Sequence, residues 1–316
     1  MIKIYNTDLE TNLTEEINEF KKGSWINLVN PSEDEIKKVC ENLKIQEDFI
    51  RYPLDFEEKA RIDIEDEDQT ILFIIDVPIM EKENDAYIHS TMPLGIIVVR
   101  DDFFITVSLK NLSILSDLEK KNKNTFITYK KSRSILQIFY KNSEIFLREL
   151  KKINKEKELA EKKLNDSMKN KELLKMLNLE KSLVYFTTSL KSNELVMEKT
   201  MKGKIIKLYE EDEDILEDAI IENKQAIEMA KIYSDILNGT MDTYASIISN
   251  NLNIVMKFLT LMTIVLTIPT VIFSFWGMNV RLPFENMHFG YLIIIGITIL
   301  LIVVVTLWMK MKDMFD

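Results

Sequence analysis

Two apolar stretches near the C-terminus constrain this chain more than any other feature. No residue from Phe258 to Val280 carries a formal charge, and none from Asn286 to Met309 does. Each run exceeds the roughly 20 residues an α-helix needs to cross a bilayer. Between them stand only Arg281 and Glu285 as charges. Residues 1–257 differ sharply: they hold 48 acids and 38 bases, so the net charge of −10 resides there. The pattern predicts two C-terminal membrane spans joined to a large acidic portion in water. The lipid bilayer is the first expected partner.

Several function classes fall away. The N-terminal segment MIKIYNTDLE has no apolar core, so no signal peptide is expected. A single cysteine, Cys40, excludes an intramolecular disulfide framework and fits a reducing cytoplasm. The acidic balance argues against nucleic acid as a partner. The seven glycines form neither GxGxxG nor GxxxxGK[ST], which argues against an ATP-driven pump. No nucleophile, base or cofactor constellation points to an enzyme.

Breakers are concentrated early. Pro31, Pro53, Pro78 and Pro93 fall in the first third, and the next proline is Pro269. Strands are predicted at Met1–Tyr5, Trp25–Val29, Arg61–Glu65, Ile71–Pro78, Leu94–Arg100 and Phe103–Ser108. Asp101 and Asp102 form a hairpin turn between the last two. Ser32 with Glu35 three residues on is a capping box, which predicts a helix to about Leu43. Apolar residues at threes and fours predict two antiparallel helices between Ser132 and Lys202, broken near Asn165–Asn170.

A further helix starts in Glu210–Asp218, where seven of nine residues are acidic. Its apolar phase runs from Ala226 through Tyr233, Tyr244 and Leu252 to Leu266 without a break. One helix from about Asp212 to Trp276 would be roughly 98 Å long, of which only about 30 Å fits in hydrocarbon. The remainder is a stalk. Lys257, Lys310 and Lys312 place both chain ends in the cytoplasm by short-loop basic bias.

The fold class is therefore α+β. It comprises an N-terminal cytoplasmic α/β domain at 1–125 and long antiparallel helices at 126–209. A stalk follows at 210–257, then a first transmembrane helix at 258–279 and an outer loop at 280–290. A second transmembrane helix at 291–309 leads into a basic tail at 310–316.

The first span is uncharged but not uniformly apolar. Asp242, Ser246, Ser249, Asn253, Met256, Thr260, Thr263, Thr267, Thr270 and Ser274 follow at alternating steps of four and three. Nine of these ten are polar, and they form one strip along one helix face. Polar groups in hydrocarbon need partners, so the strip is expected to face water or another copy of itself. Two spans cannot enclose a pore, whereas several copies about an axis can. The bland alternative is that each hydroxyl only bonds its own i−4 carbonyl. Hydroxyl and amide oxygens suit the water shell of a hard cation such as Mg²⁺. Rings of Met256 and Leu259 could close a pore by dewetting.

The span ends Gly277-Met278-Asn279. Gly277 reads as a left-handed helix stop, and the turn would aim Asn279 at the pore axis. This tripeptide, closing the first of two C-terminal spans, resembles the CorA family of magnesium channels. Trp25–Pro31, Arg61–Asp66 and Asn253–Thr260 are also similar to family stretches, and the resemblance covers the whole chain. Trp276 stands where the family more often has Tyr, and the outer loop adds Arg281.

The resemblance implies a homopentamer conducting Mg²⁺, often also Co²⁺ and Ni²⁺. It implies that Asn279 contacts the hydrated ion at the entrance and that Thr270, Asn253 and Asp242 line the pore. It also implies that Met256 and Leu259 form a constriction. Closure by cytoplasmic Mg²⁺ bound between subunits points to Asp218, Asp214 and Glu81 as regulatory ligands. The Zn²⁺-transporting sister group carries Ile at the middle of the tripeptide, where this chain has Met278. A membrane-anchored scaffold is the rival of another class.

Overall fold

The computed structural model describes residues 1–8, 10–11, 13–66, 69–83, 86–100, 102–120, 127–166, 170–203, 205–279 and 287–312. The chain divides into two compact units, Met1–Gly239 and Thr240–Asp316.

The first unit is built on a seven-stranded sheet. Its strands are β1 (Ile2–Thr7), β2 (Thr14–Ile17), β3 (Trp25–Val29), β4 (Arg61–Glu65), β5 (Thr70–Glu83), β6 (Ala86–Val99) and β7 (Phe103–Ser108). The spatial order is β2-β1-β3-β7-β6-β5-β4. Only β3 and β7 pair in parallel, with Ile26 opposite Ile105. Successive side chains on a strand face opposite sides of a sheet. Leu72, Ile74, Ile97 and Ile105 accordingly join one core, while Phe73, Ile75, Ile96 and Phe104 join another. A strand covered on both faces reads as a continuous apolar run, which is what Ile71–Ile75 is.

Helices cover the two faces. On one lies α1 (Glu33–Leu43), through Ile36, Val39 and Leu43, with the short α2 (Asp48–Arg51). The α1 cap is the expected box: Glu35 N–H donates to Ser32 Oγ at 3.3 Å, and Ser32 N–H donates to Glu35 Oε2 at 2.9 Å. On the other lie α4 (Lys131–Asp166), α5 (Asn170–Gly203) and the start of α6 (Glu210–Trp276), through Phe139, Val196 and Leu216. A short α3 (Ser113–Lys120) precedes them. Of the expected Asp101-Asp102 turn, Asp101 lies outside the described residues.

Strands β5 and β6 are longer than the prolines suggested. They pair from Thr70↔Val99 to Glu83↔Ala86, whereas β7 reaches only Leu94 and β4 only Ile74. Beyond that, the two strands form an arm with open edges. Pro78 and Pro93 sit in this arm, where a missing N–H leaves no ladder bond broken in a neighbouring strand.

The arm is anchored on α4 and α5. The Asp76 carbonyl accepts from Asn142 Nδ2 and from Asn193 Nδ2, both at 2.8 Å, and the Asp76 N–H donates to Asn193 Oδ1 at 2.8 Å. Both asparagines are fully buried. The second unit contains the remainder of α6 and α7 (Gly290–Met311).

Candidate functional site

The polar strip lies on α6, which stays helical from the stalk through Pro269 to Trp276. Asp242, Ser246, Ser249, Asn253, Met256, Thr260, Thr263, Thr267, Thr270 and Ser274 are all exposed. Leu261 is buried, and Val265, Ile268, Ile272 and Trp276 are half-buried. At 100° per residue these covered positions lie about half a turn from the strip. On α7, Gly290, Ile294, Thr298 and Met309 are buried. Within the second unit, then, the covered face of α6 is the one opposite the polar line.

The threonines in the span share one conformation. Thr260, Thr263, Thr267 and Thr270 donate to the carbonyls of Met256, Leu259, Thr263 and Leu266 at 2.8, 2.8, 2.6 and 2.9 Å. Ser246 does the same to Asp242 at 3.0 Å. The i−4 bonding that the sequence left as the bland alternative is therefore present. It also has a chemical consequence. A hydroxyl keeps its acceptor lone pairs after its hydrogen is committed. Such a face accepts hydrogen bonds and does not donate them, and water bound to a cation donates. Met256 and Leu259 are 53% and 52% exposed, so two apolar side chains interrupt this oxygen surface.

At the helix end, Gly277 N–H donates to Phe273 O at 2.9 Å and Met278 N–H to Phe275 O at 3.3 Å. The expected left-handed stop is not formed: Gly23 is the only described glycine with positive φ. A Cβ at Gly277 would stand 3.3 Å from the Phe273 carbonyl oxygen, a tight contact. Asn279 is exposed, and residues 280–286, with Arg281 and Glu285, lie outside the described residues. Tyr291 and Trp308, both exposed, flank the apolar length of α7 as interfacial aromatics do.

The stalk acids are in the first unit. Asp214 and Asp218 are exposed on α6. Asp218 shares its surroundings with Glu144 and Glu222, and these three carboxylates, Glu144 foremost, raise the Tyr140 hydroxyl above its ordinary range. Glu81 lies on the arm, and Lys110 Nζ is 2.5 Å from its Oε1. Among the described residues, no three His, Cys, Asp or Glu side chains gather as a metal site within the chain.

Two buried features were not foreseen from the sequence. The anchors Asn142 and Asn193 interrupt the apolar stripes of α4 and α5, and that interruption was the available signal. His89 is buried between Glu149 and Glu156. Nothing in the spacing of those residues announces the contact.

Residues 20–311 match the family described as CorA-like Mg²⁺ transporter protein. The chain is similar to the cobalt/magnesium transport protein CorA of Methanocaldococcus jannaschii, with 27% identity over 285 residues, 89% of this chain and 87% of that protein. The complete structure of the CorA magnesium transporter from the same organism superposes with a TM-score of 0.84 at 24% identity, over 98% of this chain and 97% of that one. The cytoplasmic domain of ZntB from Vibrio parahaemolyticus superposes with a TM-score of 0.58 at 11% identity, over 79% of this chain and 96% of that one. The structural likenesses speak to fold alone. The long match to the family carries the assignment.

Proposed function

The chain belongs to the CorA-like Mg²⁺ transporter family, and from that premise we propose that it is a passive Mg²⁺ channel assembled as a homopentamer. Both termini lie in the cytoplasm, and the strip from Asp242 to Ser274 lines the pore. Gly277, Met278 and Asn279 form the outer entrance, where Asn279 accepts from the water shell of the ion. Met256 and Leu259 form the hydrophobic gate. Mg²⁺ is both cargo and, on the stalk side, regulator: Asp218, Asp214 and Glu81 bind it across subunits and hold the pore closed. The membrane potential supplies about 4.6 kcal/mol per 100 mV for each divalent ion moving inward.

The observation that carries this reading is the line of polar side chains on the face of α6 opposite its covered face, with four threonine oxygens left as acceptors. A helix with no use for that face would leave it apolar toward lipid. The relative's printed name adds Co²⁺ as a second cargo, so flux of Mg²⁺, Co²⁺, Ni²⁺ and Zn²⁺ is to be compared in proteoliposomes. Asn279→Ala is expected to lose at least about tenfold of Mg²⁺ flux, the discrimination of a lost ion-shell contact of about 1.4 kcal/mol, with assembly unchanged. Wild-type flux in that variant removes the entrance role.

A further inference from the structure

The β5–β6 arm brings His89 onto α4 in a setting that suits one protonation state of its ring. His89 is 2% exposed. Its Nδ1 faces Glu149 Oε2 at 3.6 Å, and its Nε2 faces Glu156 Oε1 at 3.7 Å. The two glutamates are seven residues apart on α4, about 10 Å along the helix axis. From α5, Phe186 meets the imidazole edge-on with ring centroids 6.2 Å apart. From β5, the residue in register is the uncharged Met80.

The same two glutamates also hold cations. Lys152 Nζ lies 2.8 Å and Arg148 Nε 3.6 Å from Glu149 Oε1. Lys175 Nζ of α5 lies 3.5 Å from Glu156 Oε2. Each carboxylate thus gives one oxygen to a cation and turns the other toward the imidazole.

A neutral imidazole offers one N–H donor and one bare acceptor nitrogen, whereas a carboxylate oxygen only accepts. Between two carboxylates, a neutral ring satisfies one side and sets lone pair against lone pair on the other. Here both contacts, at 3.6 and 3.7 Å, are longer than hydrogen bonds, and buried Nδ1 has no hydrogen-bond partner. An imidazolium donates from both nitrogens, and hydrogen bonds between ions are among the strong ones. A metal ion does not fit the same geometry, because the two carboxylates address opposite ring nitrogens.

We propose that His89 is a proton-binding site and that the bound proton acts as a clasp. A hydrogen ion from water adds to the bare ring nitrogen, and no bond in the protein breaks. The resulting imidazolium draws in Glu149 and Glu156 and pins the distal arm to two turns of α4. Neutral His89 releases one side.

The test uses the full chain in lipid bilayers with ¹⁵N-labelled histidine. The sequence has two histidines, His89 and His288, so His288→Gln leaves a single ring to read. The ¹⁵N shifts report whether one or both ring nitrogens carry protons as the pH falls from about 8 to about 5.5. Hydrogen exchange is then followed on peptides covering residues 79–92. As both nitrogens become protonated, protection of the arm is expected to rise about tenfold, the order expected of one charge-assisted hydrogen bond. In His89→Gln that rise is expected to vanish while protection of α1 stays unchanged. A ring that keeps a single proton throughout, or equal pH dependence of arm protection in both proteins, overturns the proposal. Should His89→Gln fail to fold, the ¹⁵N reading on the wild-type ring still decides.

Discussion

Asp76 sits where the arm leaves the sheet, in a cleft of about 350 Å³ also lined by Glu57, Glu58, Glu81 and Ser189. Burial pushes its carboxyl from 3.8 up to about 6, partly offset by a hydrogen bond from Ser189. The raised value sets the sign of the stability change. In the unfolded chain the group ionises near its ordinary value, so between about 4 and about 6 the folded state holds the extra proton. Its contribution is present below about pH 4, is lost as pH rises to about 6, and stays lost above. A shift of this size corresponds to at most about 3 kcal/mol. Asp76→Asn keeps the shape and removes the buried charge. It is expected to raise stability by about 1–3 kcal/mol near pH 7.5 and by almost nothing near pH 4. Urea unfolding of the detergent-solubilised chain, followed by tryptophan fluorescence at the two pH values, checks this. Equal differences at both values would detach the effect from ionisation.

At the scale of elements, legibility followed the length of the signal. The α1 cap was readable because two side chains three residues apart satisfy each other locally. The long α6 was readable because one phase persists over many turns. The distal arm was not, since Pro78 and Pro93 look like strand ends unless the missing neighbours of β5 and β6 are known. Nor were β2, α2 and α3, which are short and owe their form to tertiary contact. Gly95 belongs with these. Its role as a glycine is set by Pro53, a residue 42 positions earlier. A Cβ on Gly95 would stand 2.7 Å from Pro53 Cβ and closer still to Cγ. Gly95→Ala is therefore expected to force the segment Tyr52–Leu54 off β6 and to cost about 1–3 kcal/mol, as overpacking does. The midpoint of thermal unfolding should fall accordingly. Gly239→Ala is the control, because nothing lies within 4 Å of a Cβ there, and it should not lower the midpoint.

For the whole molecule, the distribution of charge separates the acidic N-terminal portion from the two apolar C-terminal helices. All ten net negative charges belong to residues 1–257, and on the reading above this portion meets the ion after it has crossed. The polar strip was legible from sequence because its register is local to one helix. The proposed sensor ligands come from different copies, and among the described residues no cluster of three forms within the chain. Glu81 already has Lys110 as a partner at 2.5 Å, so a cation arriving there competes with an ammonium. Asp218 is exposed, and it lies near Tyr140 together with Glu144 and Glu222. A ligand shifts a conformational equilibrium only by its differential affinity for the two states. Removing the Asp218 charge lowers that difference in every copy at once. Asp218→Asn should therefore raise the Mg²⁺ concentration needed for half closure by about tenfold, equivalent to about 1.4 kcal/mol. Asn279→Ala flux losses would be unaffected by that change, since they arise at the opposite end of α6. Single-channel or liposome flux against cytoplasmic-side Mg²⁺ measures the shift. Closure at the wild-type concentration would remove Asp218 from the sensor while leaving the pore assignment standing.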